Sequence, residues 1–437
     1  METMDKIRQS YSNIADTLSS KFDNGMLTCL LFLVYKAMLD VIYLKCVGGV
    51  HTFFSISVSP FNIITGWMAA FVMSFFFAEY YRQNTPSAII MIIFNLFYFL
   101  PMTTFCSYGG GATSFLFWGI LYWIIISVLQ LRFPAVSVEM PKYSFVSDKV
   151  LIAATAIVSL PVIYVWARYT KFRILVNPGE IYTVRAEAAA YAIPTVLQYA
   201  LNMIPILIAM LIVLTLYMRK YILFFVLLAL TVIDFSIAGH KSVILFPVIL
   251  IGGYIFYRKN MISVILPAGI IGEVLAIAEH FAGKGLLVTL VFRRMGFVLA
   301  QLSEYYYRFF TNHDIDMFRQ GIIGKLGFDS IYSQSIAHVI GNNFETQVVN
   351  CNNGLMADVW SGLGYIGIIV MPVILLFCFR LLDSVARGVD LRLIIGLVVY
   401  YAACFANSQW STVLITHGFV LMCLVLLFFP RTSGKEE

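Results

Sequence analysis

The sequence predicts an all-α polytopic membrane protein of about twelve transmembrane helices with one large loop outside the bilayer, and three observations carry that prediction. Apolar residues make up 60% of the chain against 12% charged, more apolar surface than a water-soluble core can hide. They gather into runs of about 16 to 22 residues bounded by charges, the length a helix needs to cross the hydrocarbon core. The series is interrupted once, by a polar stretch of roughly eighty residues from about His280 to Ser361.

In chain order, a polar N-terminal segment (1–24) precedes a region of nine runs (25–279), near 25–45, 61–79, 88–105, 115–131, 149–167, 196–217, 222–238, 242–257 and 261–279. The long segment (280–361) follows, then three runs within 362–429, near 362–380, 392–407 and 412–429, and a short tail (430–437). The first run lacks a small-residue cleavage site and is expected to remain as an uncleaved first span. The short runs on either side of His240 and Lys241 read either as two spans or as one broken re-entrant unit. Seven scattered cysteines without metal spacing predict neither a disulfide framework nor a structural zinc. No cofactor is expected.

With the N-terminus in the cytoplasm, Lys6, Arg8, Lys21, Arg82, Arg132, Lys142, Lys149, Arg219, Lys220, Arg258, Lys259, Arg380, Arg387, Arg392, Arg431 and Lys435 share one side, in short connectors. That is what the positive-inside rule requires, and it places both termini in the cytoplasm. Two segments on the opposite face break the rule. One carries Arg168, Lys171, Arg173 and Arg185; the other, the long segment, carries Lys284, Arg293, Arg294, Arg308, Arg319 and Lys325. Such cations are either solvated against lipid headgroups or kept for a negatively charged ligand, and a pyrophosphate-bearing lipid fits the second reading. The formal charge of +6 reports orientation here rather than a nucleic-acid partner.

Three stretches on that face carry chemistry. In Asn177 to Ala188 a Pro-Gly turn opens onto a short helix presenting Arg185. In Ala238 to Ser242 a polar break offers Lys241 as a pocket cation or as an ordinary connector. In the long segment, Arg293 and Arg294 precede Tyr305, Tyr306, Tyr307, Phe309 and Phe310, a phosphate fork beside flat faces that suit sugar rings or form an aromatic belt. Its end places Asn352, Asn353 and Asp358 before Gly362, Gly364 and Gly367, where small residues allow close helix packing. Asp314 and Asp316 have a metal-like spacing but sit beside a polar turn, and no metal site is expected.

The order Tyr182 and Arg185, then Gly239, Lys241 and Ser242, then Arg293 or Arg294 ahead of Tyr305 to Phe310, then a polar run into Gly-x-Gly-x-x-Gly, resembles the bacterial oligosaccharide repeat-unit polymerases, commonly called O-antigen polymerases. The resemblance spans roughly residues 177 to 367 together with the overall hydropathy. It implies a C-type glycosyltransferase-like architecture in the bacterial inner membrane with its active site facing the periplasm. It also implies transfer of a growing glycan from undecaprenyl pyrophosphate to a lipid-linked repeat unit, with a chain-length regulator protein as a further partner. Related ligases carry a His-Asn pair where this chain has Asn352 and Asn353, a departure that favours the polymerase over the ligase.

On this reading Arg185, Arg293, Arg294 and Lys241 grip the pyrophosphate, and Tyr305, Tyr306, Asn353 and Asp358 contact sugar. The acceptor needs a general base. His338 leads because its imidazole titrates near neutrality, with Glu345, His313, Glu304 and Asp358 as alternatives. Lys36 and Asp40, four apart in the first run, are expected to neutralise each other. Glu273 and Asp234 suggest the rival class, a polysaccharide or lipid transporter or flippase with proton-relay carboxylates.

Overall fold

The structure, a computed structural model, describes residues 13, 17, 24–134, 147–175, 177–257, 262–321, 323–344 and 350–431. Nine helices among them are long and apolar enough to cross a membrane: Gly25–Val47, Pro60–Gln83, Pro86–Tyr108, Thr113–Arg132, Asp148–Thr170, Thr195–Tyr217, Tyr221–Ala238, Val264–Phe281 and Met356–Val385. Three shorter apolar helices, Ser242–Phe256, Leu391–Asn407 and Trp410–Leu426, take up the remaining apolar runs. The protein is thus an all-helical, multi-pass membrane protein, and the described residues pair as β only at two isolated bridges.

Local signals explain where the spans begin. The Ser59 hydroxyl accepts the Asn62 N–H at 3.3 Å and Thr85 accepts that of Ala88 at 3.3 Å, each with proline at the first helical position. Asn24 caps the first span through the Met26 N–H at 2.9 Å.

The described residues fall into two compact units. The first comprises residues 1–136, 258–381 and 402–411. Its pillar is Pro86–Tyr108, of which 89% is buried. Pro60–Gln83 packs on it at Gly66, where an added Cβ would lie 3.3 Å from Ser107 Oγ. Asn62 seals that contact by donating to the Cys106 carbonyl at 2.9 Å and accepting from the Thr113 hydroxyl at 2.8 Å.

The long segment, expected as an external loop, contributes to this core. A π-helical stretch, Val288–Phe297, runs directly into the helix Val298–Phe310, which buries Leu299, Ala300, Leu302, Ser303 and Tyr306. Ser303 bonds to Tyr98 of the pillar, and Gly296 comes close enough that a Cβ would lie 3.0 Å from Pro101. The remainder folds around Asp316, which is fully buried and accepts the Ser330 hydroxyl at 2.5 Å and the Gln320 N–H at 3.0 Å. This network holds Met317 and Phe318 at φ of 54° and 59°, a region bulky side chains avoid, and so fixes the ring of Phe318 against Gly362 and Trp410.

The second unit comprises residues 137–257, 382–401 and 412–437. Val158, Val162 and Val165, Ile204, Ile208 and Ile212, and Leu227, Leu230 and Ile237 interlock at three-, four- and seven-residue spacing from three spans. Gly253 meets Gly396, where a Cβ would lie 3.1 Å from the backbone nitrogen, a small-residue crossing typical of helices in lipid.

Gly354 is a tight backbone approach in the first unit: its N–H donates to the Ala406 carbonyl at 3.1 Å, and a Cβ there would strike the carbonyl oxygens of Phe405 and Ser408. Backbone cannot move aside as a side-chain tip can. Gly354→Ala should therefore cost at least ~1–3 kcal/mol, read as a lower thermal unfolding midpoint of the detergent-purified protein, whereas Gly252→Ala, which meets nothing within 4 Å, should leave it unchanged.

Candidate anion-binding site

In the first unit the site is built on the π-helical stretch Val288–Phe297. Its start is secured by Glu279, whose carboxylate accepts the N–H groups of Leu286 at 3.1 Å and Leu287 at 2.7 Å. That acid is thereby committed to the helix start. Phe292, Gly296 and Phe297 bury the inner face, which leaves Arg293 half-buried and Arg294 exposed. π-Helical turns are uncommon and gather at functional sites.

Arg293 forms no salt bridge among the described residues, and its Nε is buried without a hydrogen-bond partner. Burial, and then the charge of Arg294, push its pKa down. His51 is the neighbour that sequence reasoning missed. Its pKa is lowered by burial, then by Arg293, then by His280, so at neutral pH it stands near Arg293 as an uncharged ring. The loop bearing His51 is pinned at both ends, by the His51 N–H to the Val47 carbonyl at 3.1 Å and by Gln301 Nε2 to the Phe53 carbonyl at 2.5 Å. A lone histidine between the first two apolar runs carries no motif; only the fold brings it to Arg293.

The neighbouring Arg308 is differently employed. It pairs with Glu304 and donates to the Gly110 carbonyl at 3.0 Å, while Glu304 accepts the Ala112 N–H at 3.3 Å. Burial raises the Glu304 pKa against the opposing pull of Arg308. Glu304 is thus a buried anchor of the Gly110–Ala112 turn, with no open path to a substrate hydroxyl.

The residues assigned to sugar divide. Tyr305 is half-buried with one ring face stacked on Phe344 at 4.6 Å and 10°. Tyr306 is 5% exposed, and its hydroxyl donates to the Cys351 carbonyl at 3.1 Å, which places its ring in the core. Asn353 donates to the Leu299 carbonyl at 3.1 Å and to Ser303 Oγ at 2.9 Å, and Asp358 accepts the Trp410 N–H at 2.9 Å. Both are buried, with these polar groups bonded within the fold.

Among the bases, His338 is half-buried on the helix Ile336–Phe344, with Nδ1 sharing a 2.6 Å hydrogen bond with Ser335 Oγ. His313 stacks on Phe309 at 4.0 Å, and its Nδ1 bonds the Phe309 carbonyl at 2.9 Å, which requires the proton on Nδ1. Glu345 lies outside the described residues.

In the second unit two motifs that the sequence presents separately meet. Arg185 Nε donates to the Gly239 carbonyl at 3.0 Å, with the guanidinium 5.8 Å from the Tyr182 ring. Gly239 ends its helix at φ 62°, and Lys241 opens the next, Lys241–Phe256. His240 between them has its pKa lowered by burial and then by Arg185. Arg185 forms no salt bridge among the described residues, whereas the nearby Arg173 is paired with Glu187 at 2.6 Å.

The described residues hold no group of three or more His, Cys, Asp or Glu side chains arranged for a metal ion. No family model, no curated protein and no solved structure matches the chain.

The state of His51 gives this site a sign-definite pH dependence. Its pKa lies below the ordinary value of about 6.5, and an anion bound beside it pulls that pKa back up. Binding of inorganic diphosphate, measured calorimetrically in buffers of different ionisation enthalpy, should take up a proton and strengthen as pH falls. His51→Asn should abolish the uptake; wild-type binding without proton uptake would remove His51 from the site.

Proposed function

We propose that this chain is a membrane glycosyltransferase that polymerises lipid-linked oligosaccharide repeat units. It would act at the periplasmic face of a bacterial inner membrane with a C-type glycosyltransferase-like arrangement of about twelve crossings. The donor is a growing glycan on undecaprenyl pyrophosphate and the acceptor a lipid-linked repeat unit. The observation that carries the reading is Arg293, a half-buried guanidinium beside Arg294 with an unpartnered Nε and no salt bridge among the described residues. A retained, uncompensated cation pair matches a diphosphate in charge and in fork geometry. The junction of Arg185, Gly239 and the Lys241–Phe256 helix start adds a second place where backbone N–H groups and a guanidinium favour an anion.

In this reaction the bond from the sugar's anomeric carbon to the diphosphate oxygen breaks, and the acceptor oxygen forms the new bond to that carbon. The leaving diphosphate gathers charge as it departs, and Arg293 and Arg294 neutralise it. His338 takes the acceptor proton at Nε2, since its Nδ1 is engaged with Ser335.

Arg293→Ala and Arg294→Ala should each cost about 2–4 kcal/mol in the transition state, roughly 30- to 1000-fold in rate. The assay is extension of a defined undecaprenyl pyrophosphate oligosaccharide by purified protein, read by product length. Arg185→Lys should retain part of the rate, because an ammonium keeps the charge and loses the fork. Full-length products from the arginine variants would reject the assignment. His338→Gln should slow the reaction and remove the histidine limb from its pH profile; full activity across pH would remove it as the base. In cells, loss of a polymerase leaves single-unit chains, loss of a ligase leaves bare acceptor, and loss of a transporter gives neither pattern.

A further inference from the structure

The Val264–Phe281 helix is the least buried of the candidate spans, and on its inner face Leu266, Gly269, Glu273 and Ala276 recur at helical spacing. At Gly269 an added Cβ would lie 3.0 Å from the ring of Tyr35, so this face packs directly on the first span. Glu273 sits in the middle of that seam. It is fully buried, and neither of its carboxyl oxygens has a hydrogen-bond partner among the described residues.

The charged group acting on Glu273 through space is Asp40, with Tyr35 beside it. Asp40 is already engaged: it pairs with Lys36, and its Oδ1 accepts the Thr104 hydroxyl at 2.7 Å, while its buried Oδ2 has no partner. Lys36 in turn donates to Thr104 Oγ1 at 3.0 Å and lies 5.4 Å from the Trp67 ring centre. The other titratable groups around the seam are Tyr108 and Cys106 of the pillar, Tyr81, which accepts the Leu266 N–H at 3.1 Å, Glu279 and His280 at the end of the same helix, and Arg293 and Arg294 of the next. Glu279 is held by the Leu286 and Leu287 N–H groups and forms no contact with Glu273.

The balance is therefore one ammonium against two carboxyls. Lys36 and Asp40 cancel, and Glu273 has no salt-bridge partner among the described residues. An ionised carboxylate stripped of water, with neither donor nor cation to replace it, is costly, and the cost falls away when the group binds a proton. We propose that Glu273 is a proton-binding site buried in the seam between the Gly25–Val47 and Val264–Phe281 spans, holding one exchangeable proton in the resting protein. Release of that proton leaves the seam with one unpaired negative charge and loosens the least buried span from its neighbour. The site belongs to a different part of the unit's chemistry from the anion site and stands whether or not the glycan reading holds.

Infrared difference spectroscopy of the purified full-length protein tests it, because a protonated carboxyl C=O stretch lies apart from the carboxylate bands. The wild type should show a protonated band at neutral pH that shifts in heavy water, disappears at alkaline pH and does not change when sodium is exchanged for choline. Glu273→Gln, which keeps the size and neutrality of the acid, should fold, and it should lack the band. Identical spectra in wild type and Glu273→Gln would overturn the proposal, as would a band that grows when sodium is withdrawn, which would make the seam a cation site instead.

Discussion

A charge removed from water must find a partner, and that constraint organises the first unit. Lys36 is answered by Asp40 and Thr104, Glu304 by Arg308 and the Ala112 N–H, and Asp316 by Ser330 and Gln320. Against that background the two groups left without such partners stand out. Arg293 is a cation left open where the π-helical stretch reaches the His51 loop, and Glu273 is an acid left open in a helix seam. The two open groups lie on separate elements, the Val264–Phe281 helix and the Val288–Phe297 stretch.

The open cation depends on a polar scaffold behind it. The helix Val298–Phe310 is fixed by Tyr98 with Ser303, by Asn353 with Ser303 and Leu299, by Tyr307 with Ser114 at 2.7 Å, and by Gln301 with the His51 loop. These bonds hold the preceding stretch in place, so Arg293 and Arg294 are presented by a rigid element rather than a loose tether. Preorganised charge is worth more in a transition state than charge that must be gathered at the moment of reaction. The tyrosines and Asn353 thus act on the arginines through position.

Much of the fold is legible in the chain because a bilayer sets a length scale. An apolar run of span length bounded by charge has few other uses, and among the described residues nine helices are long and apolar enough to cross a membrane, while the last run divides into Trp410–Ile415 and Phe419–Leu426. The Lys36–Asp40 pair was legible from its i, i+4 spacing alone. The helix Val298–Phe310 was not legible as core: Gln301, Ser303 and Glu304 dilute its hydropathy, and each is buried only because a specific partner meets it. For the same reason the internal hydrogen bonds of Tyr306, Asn353 and Asp358 were not legible. Arg185 and Gly239 were each visible, but their contact across the sequence was not, and His51 gave no sign at all.

A diphosphate site at Arg293 and Arg294 requires those guanidinium groups on the outer side of the membrane. Ala282 and Ser333 are exposed on either side of the Arg293 helix in sequence, and six of the seven native cysteines are buried, which leaves a low labelling background. Cysteines introduced at both positions should react with a membrane-impermeant maleimide in intact cells, giving the same labelling before and after permeabilisation. Reaction at either position only after permeabilisation would place that end of the helix in the cytoplasm and contradict a diphosphate site on the outer face.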